Sequence, residues 1–263
     1  MRLLLVILFS FVCGSILAQG EIDTQDKIFW RNERSGGAIL NSDGMGVLYR
    51  ELRQTKPADR YFFEAGLSLI KHPKEIKIST YPYLSSGTFV FGKMNATWTL
   101  KAGVGYQHEL FEKRDLGGVS ISWFAGAGPA VTFAKPIYYQ VIVLVGDNQY
   151  DIEERKFDLT IHQPLDIIGR ASFFKGFDEL KLYPGAYIHS GFNFEFSKND
   201  KLTHSVELGA SLTLFNKPIP IMATDDNKQF FPALYVSYRL GMILDPLNPG
   251  KFFPNLLKHK QEE

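Results

Sequence analysis

Residues 202–215 read LTHSVELGASLTLF. Leu202, His204, Val206, Leu208, Ala210, Leu212 and Leu214 fall on one side of an extended chain, and Thr203, Ser205, Glu207, Gly209, Ser211 and Thr213 on the other. Successive side chains of a strand point to opposite faces, so this segment is a strand with one apolar and one polar face. An ordinary globular strand has about five to six residues. A tilted strand crossing a bilayer needs about nine to eleven, and this one is longer still.

The same period recurs upstream and downstream. Trp98, Leu100, Ala102, Val104, Tyr106 and Leu110 oppose Thr99, Lys101, Gly103, Gly105, Gln107 and Glu109. Tyr61 to Leu69, Val119 to Val131, Leu182 to Phe196 and Leu234 to Leu244 alternate likewise. Gly36–Leu40 and 45–52 complete the set, joined by Asn41-Ser42-Asp43-Gly44, whose Asp-Gly step signals a tight hairpin. In 45–52 both sides are mixed. These segments predict an all-β fold, an eight-stranded antiparallel transmembrane β-barrel. The connections after the second, fourth and sixth strands are short, and those after the third, fifth and seventh are long. Long extracellular loops and short periplasmic turns are the layout of such barrels, with Trp98, Tyr106, Trp123, Phe196 and Phe231 suited to interfacial girdles. The rival is a soluble β-sandwich or lipocalin-like barrel, in which the glycines opposite the apolar face would have to meet water.

The 263 residues carry a formal net charge of +1, which gives no electrostatic case for nucleic acid. Met1-Arg2, an apolar run from Leu3 to Leu17 and Ala18-Gln19-Gly20 read as a signal peptide, 1–18, cleaved after Ala18. A periplasmic lead-in then covers 19–34, the barrel 35–245 with its long loop 134–181, and a periplasmic tail 246–263. The only cysteine, Cys13, follows Phe11-Val12 rather than small residues, which argues against lipidation. With it removed there is neither thiol chemistry nor a disulfide framework. The expected location is the outer membrane of a Gram-negative cell.

On the inward face the reading places Glu64, Lys101, Glu109, His189, Glu195, Glu207 and Arg239, with Gln107, Asn193 and Tyr235. Unpaired buried charge is costly, so these should form a polar network that plugs a lumen only wide enough for side chains. Glu207 is expected to meet Arg239 or Lys101. His204-Ser205 and His189-Ser190 are sequence neighbours that point to opposite faces, so neither pair can act as base and nucleophile. His162 has Asp158 and Asp166 nearby but no serine beside it. No catalytic residue, cofactor or metal site is therefore assigned. The acidic stretches 147–151 and 225–227 lack the ligand spacing of a calcium loop.

The 134–181 segment is long for a loop and contains apolar runs, 137–145 and 167–177, that must bury against the barrel mouth or against another protein. Phe173, Phe174, Lys175, Phe177 and Asp178 are the candidate partner-contact residues. Four pieces at loop junctions also look familiar: KHPKE at 71–75, FGKMN at 91–95, FFKGFDELK at 173–181 leading into Tyr183-Pro184-Gly185, and PIPIMA at 218–223. Together, across most of 36–245, they resemble an outer-membrane β-barrel family of Bacteroidetes-type bacteria. The resemblance implies the barrel and its location, and it brings no catalytic residues. The function expected is a non-enzymatic outer-membrane barrel serving as a structural or accessory subunit of an envelope complex for protein assembly or secretion. Its partners would be outer-membrane lipid and other outer-membrane or periplasmic proteins. A narrow channel or ligand-binding barrel is the alternative, and a lipid-modifying enzyme a third.

Overall fold

A computed structural model describes residues 32–79, 88–113, 118–145, 150–158, 163–199 and 202–244. The expected signal segment, most of the lead-in, residues 147–149, His162 and the tail lie outside them. The strands are β1 (Asn32–Asn41), β2 (Gly44–Gln54), β3 (Asp59–Ile70), β4 (Lys77–Ile78), β5 (Phe89–Val90), β6 (Asn95–Phe111), β7 (Val119–Pro136), β8 (Tyr138–Leu144), β9 (Tyr150–Lys156), β10 (Ile167–Arg170), β11 (Lys181–Asn199), β12 (Leu202–Phe215) and β13 (Phe230–Leu244).

Eight of these close into a barrel in the order β1-β13-β12-β11-β7-β6-β3-β2. All of its neighbours are antiparallel, and β1 seals the sheet by pairing with β13 from Asn32↔Leu244 to Asn41↔Tyr235. Closure leaves no barrel strand with an unpaired edge. The first residue of β1 and the last of β13 lie at the same end as the last residues of β2, β6 and β11 and the first of β3, β7 and β12. At the opposite end, the mouth, are the two-residue turn 42–43, the β4–β5 hairpin, the sheet of β8, β9 and β10, and the segment 216–229.

The faces of the barrel are inverted relative to a soluble protein. Along β12, Leu202, Leu208, Leu212 and Leu214 are exposed while Thr203, Ser205, Glu207 and Thr213 are buried. The contrast is sharpest at neighbours, Leu208 being 47% exposed and Glu207 0%. Every barrel strand adds large exposed apolar residues to this outer belt, among them Leu40, Val47, Phe63, Val104, Trp123, Ile188, Leu208 and Val236. No helix among the described residues is long and apolar enough to cross a membrane.

Two strand readings change. β1 begins at Asn32, within the stretch read as lead-in, and it extends well beyond 36–40. Phe231 is not a girdle residue. It shares its parity with Ala233 and Tyr235, points inward, and packs edge-on against Phe215 at 5.6 Å.

The mouth carries a second tier of structure. β8 continues from β7 after Pro136 and pairs with β9 and β10 in a three-stranded sheet, while β4 and β5 form a small hairpin. Of the two apolar runs expected to bury, the first does so at the mouth through Ile137, Tyr139 and Val141, but the second does so only through Ile167, and its Phe173, Phe174 and Phe177 are exposed. Ile137, Tyr139, Val141 and Ile167 join Phe89 and Phe157 in one buried cluster, with Ile78, Phe91 and Ala223 packed on it. The Tyr139 hydroxyl donates to the carbonyl oxygens of Val90 and Lys93, at 2.9 and 2.8 Å, and so fastens the sheet to the β5–β6 connection.

Candidate functional site

Within the barrel, strand register sets which charges meet. Arg50 on β2 is directly opposite Glu64 on β3. Glu207 on β12 lies between Asn193 on β11 and Ser237 on β13. Inward-pointing side chains from opposite walls then reach the barrel axis and join these pairs into one lattice. Arg50 Nη2 donates to Glu64 Oε2 at 2.8 Å, its Nε to the same oxygen at 3.2 Å, and its Nη1 to Glu207 Oε1. Glu207 Oε1 also accepts from Arg239 Nη2 at 2.7 Å, and Oε2 accepts from Ser237 at 3.0 Å. Arg239 further donates to Ser35 Oγ at 2.9 Å and Asn193 Oδ1 at 3.0 Å. On its other oxygen Glu64 receives the Tyr187 hydroxyl at 2.8 Å, and His189 Nε2 lies 2.8 Å away. His189 Nδ1 is 3.1 Å from the Tyr235 hydroxyl.

Two guanidiniums and two carboxylates thus neutralise each other inside the barrel, and such pairing is the condition under which buried charge is tolerable. The Arg50 guanidinium carbon also lies over the rings of Phe62 and Phe124, 4.2 and 5.0 Å from their centroids, which adds cation–π contacts to its ion pairs. Space for these bulky groups comes from inward glycines. A Cβ at Gly126 would sit 2.4 Å from His189 Nε2, and one at Gly105 would sit 2.2 Å from Phe62 Cζ. Near the short-turn end lies a second group, where Arg60 contacts Glu195 and Glu109 at 3.5 and 3.4 Å and Ser120 donates to Glu109 at 2.7 Å.

Glu64, Lys101, Glu109, His189, Glu195, Glu207 and Arg239 all lie on the inner wall. Glu207 meets Arg239, as expected, but its other cation is Arg50 rather than Lys101. Lys101 stands with its Nζ 5.4 Å from the Tyr187 ring. Sequence reasoning missed Arg50 in the lattice and Arg60 in the second group. Arg50 lies in the strand with mixed faces, and Arg60 stands at the start of β3. A cavity of about 60 Å³ remains beside Lys101, Glu64, Tyr187 and His189, enough for a few waters and too small for a solute.

The mouth is sealed by apolar contacts. Ile219, Ile221 and Met222 from the 216–229 segment pack with Ile70, Val90, Phe215 and Phe231. Asn227 fixes this plug: its Oδ1 accepts from the Ile221 and Met222 amides at 3.0 and 3.2 Å, and its Nδ2 donates to the Met222 and Thr224 carbonyls at 2.8 and 2.7 Å. The plug is stitched to the barrel rim by the Met94 amide donating to Ile221 O at 2.9 Å and the Ala223 amide donating to Gly92 O at 2.7 Å. Asp226, from the acidic stretch 225–227, pairs with Lys74, whose hydrogen bond holds the carboxyl below its ordinary value.

Of the partner-contact candidates, Phe173 and Phe177 pack on Trp98 with ring centroids 6.1 and 6.2 Å away. Lys175 pairs with Glu154 at 2.5 Å. Phe174 is 80% exposed. Nearby, Glu179 takes hydrogen bonds from Lys156 and Tyr138, which hold its carboxyl below the ordinary 4.5. The two His-Ser neighbours point apart as their spacing requires. His204 lies outside, 2.8 Å from the Tyr238 hydroxyl, while Ser205 is buried. Ser190 donates to the Phe124 carbonyl at 2.9 Å, away from the His189 ring.

No protein-family model and no curated protein matches the chain. Among solved structures it is similar to Neisserial surface protein A, at 8% identity and a TM-score of 0.36, over 81% of this chain and 96% of that one. It is also similar to the N-terminal β-barrel domain of Pseudomonas aeruginosa OprF, at 6% identity and a TM-score of 0.36, over 82% of this chain and 99% of that one.

Proposed function

We propose that this protein is a non-enzymatic β-barrel of an outer membrane, closed to solutes, that serves as a structural or accessory subunit of an envelope complex. The observation that carries the reading is the inversion of its faces. A belt of exposed leucine, valine and aromatic side chains on every barrel strand surrounds an interior of paired charges. In water such a belt would be a large aggregation-prone patch, whereas in lipid it is the solvated face. Closure keeps every barrel strand paired within the hydrocarbon. The Bacteroidetes-type family suggested by the loop-junction motifs and export by the N-terminal segment belong to the same proposal.

The filled lumen favours a scaffold over a channel. Arg50, Glu64, Glu207 and Arg239 bridge the lumen, and the Ile219–Met222 plug covers the mouth above them. What is left for a partner is the outer structure. The end of the β8–β9 hairpin exposes Leu144, Val145, Tyr150 and Ile152. In planar bilayers the purified protein should pass no steady current, and a stable open conductance would overturn the closed-lumen reading. Detergent extracts of outer membranes at native abundance should yield the protein with a stoichiometric membrane-protein partner, lost in Tyr150→Asp/Ile152→Asp. A clean monomer would count against the accessory role.

A further inference from the structure

The segment joining β10 to β11 does not cover the mouth but folds against the outer wall. Ladder register puts Leu69, Trp98, Phe133 and Leu182 side by side on β3, β6, β7 and β11, all facing out. Onto Trp98 the segment lays Phe173 and Phe177, with Phe174 edge-on to Phe173 at 5.7 Å. These rings continue the outer apolar belt sideways from the barrel.

Their position is fixed from beneath by a buried cation. Lys135, near the end of β7, is 3% exposed. It donates to the carbonyls of Phe173 and Lys175 at 2.6 and 3.0 Å, and its Nζ stands 4.8 and 5.0 Å from the Phe173 and Phe177 rings. The turn that makes this possible needs Gly176, which has φ +88° and no room for a Cβ against the Pro136 carbonyl. On the side facing the β8–β9 hairpin, the same segment carries the ion pairs of Lys175 with Glu154 and Glu179 with Lys156, both beside Tyr138, whose hydroxyl also donates to Glu179. An aromatic layer continuous with the belt, bounded by a charged layer, is the profile of a group seated at a membrane interface.

We infer that residues 173–177 form a lipid-surface foot, in which Phe173, Phe174 and Phe177 enter the outer leaflet beside Trp98 and Lys135 locks the turn in place. This rests on the reading that the barrel spans a membrane. The foot braces the folded cap against the bilayer and sets the height at which the β8–β9 hairpin stands above it.

The test places a nitroxide at Phe174→Cys in a Cys13→Ser background, with the protein in phosphatidylcholine/phosphatidylglycerol vesicles. Leu208→Cys is the control in the belt and Ile152→Cys the control on the hairpin. Relaxation by oxygen should exceed relaxation by a water-soluble nickel chelate at 174, as at 208, while 152 shows the reverse. Adding Lys135→Met should abolish the oxygen preference at 174 and leave 208 unchanged. Nickel-dominated relaxation at 174 with a lipid-embedded 208 would overturn the foot alone. A water-exposed 208 would overturn the membrane reading and the foot with it. Unchanged oxygen preference at 174 in the Lys135→Met protein would remove Lys135 from the proposal.

Discussion

Replacing Glu207 by leucine tests how the lumen is held together. Its carboxylate accepts from Arg50, Arg239 and Ser237, and the Glu207, Arg50 and Arg239 side chains are each 1% exposed. After Glu207→Leu, Arg50 keeps Glu64, but Arg239 loses its directly bonded carboxylate and keeps hydrogen bonds to the neutral Ser35 and Asn193, with Glu33 and Glu64 as the remaining carboxylates acting on it. Breaking a buried pair by removing one partner costs about 3–5 kcal/mol, because the remaining charge stays in a medium that cannot solvate it. Arg239→Met should cost a similar amount by stranding part of the charge on Glu207. The double variant removes both charges and leaves Arg50–Glu64 intact with Tyr187 and His189 around it. Replacing a whole buried pair by apolar groups is often near neutral, so the two single costs should fall short of adding by at least about 2 kcal/mol. Urea unfolding in lipid vesicles, followed by tryptophan fluorescence, measures all four proteins of the cycle. Single costs below about 1 kcal/mol, or strict additivity, would refute the claim that this lattice holds the lumen.

Further expectations concern the cap and the space inside the wall. Asn227→Ala removes four hydrogen bonds from the plug, and each unsatisfied buried group costs about 1–3 kcal/mol. Amide exchange at Ile221 and Met222 should speed up by orders of magnitude while exchange in β12 and β13 is unchanged. Gly126→Val should destabilise the barrel by about 1–3 kcal/mol, because its Cβ displaces His189 from between Glu64 and Tyr235. Equilibrium unfolding in vesicles checks it. For pH, the Glu179 carboxyl is held below 4.5 by Lys156 and Tyr138. Its contribution to docking the 171–180 segment on the hairpin is therefore fully present above pH 4.5. It is lost as pH falls through the depressed value. Exchange protection near Tyr138 should drop in that acid window, and Glu179→Gln should remove the dependence.

The barrel is legible in the sequence wherever one face is uniformly apolar. β12 is the clearest case, and its ladder neighbours β11 and β13 repeat it. β2 is harder to read because Leu48 and Leu52 share the inner side with Arg50, while Glu51 faces out among Val47 and Tyr49. Arg50 is accommodated by Phe62 and Phe124, inward aromatics contributed by β3 and β7, and no period within β2 can report them. Phe231 shows the opposite error, since its parity already places it inside and only its position near a strand end suggests a girdle. The cap is least legible. β8 is buried on one side by Phe89 and Phe157, so its apolar run follows a local packing partner rather than a lipid slab. The loop-junction motifs do find use in the structure. Gly92 and Met94 receive the plug, and 173–177 forms the wall turn.

The measurement closest to the central claim is the folding of Leu208→Arg into bilayers, scored as the fraction of heat-modifiable folded barrel and its unfolding free energy. Leu208 lies in the middle of β12 and faces out, with Glu207 buried beside it. An arginine there, near the bilayer midplane, should cost about 2–4 kcal/mol and deplete the folded form. Normal assembly of Leu208→Arg at unchanged stability would contradict an outward face that meets lipid.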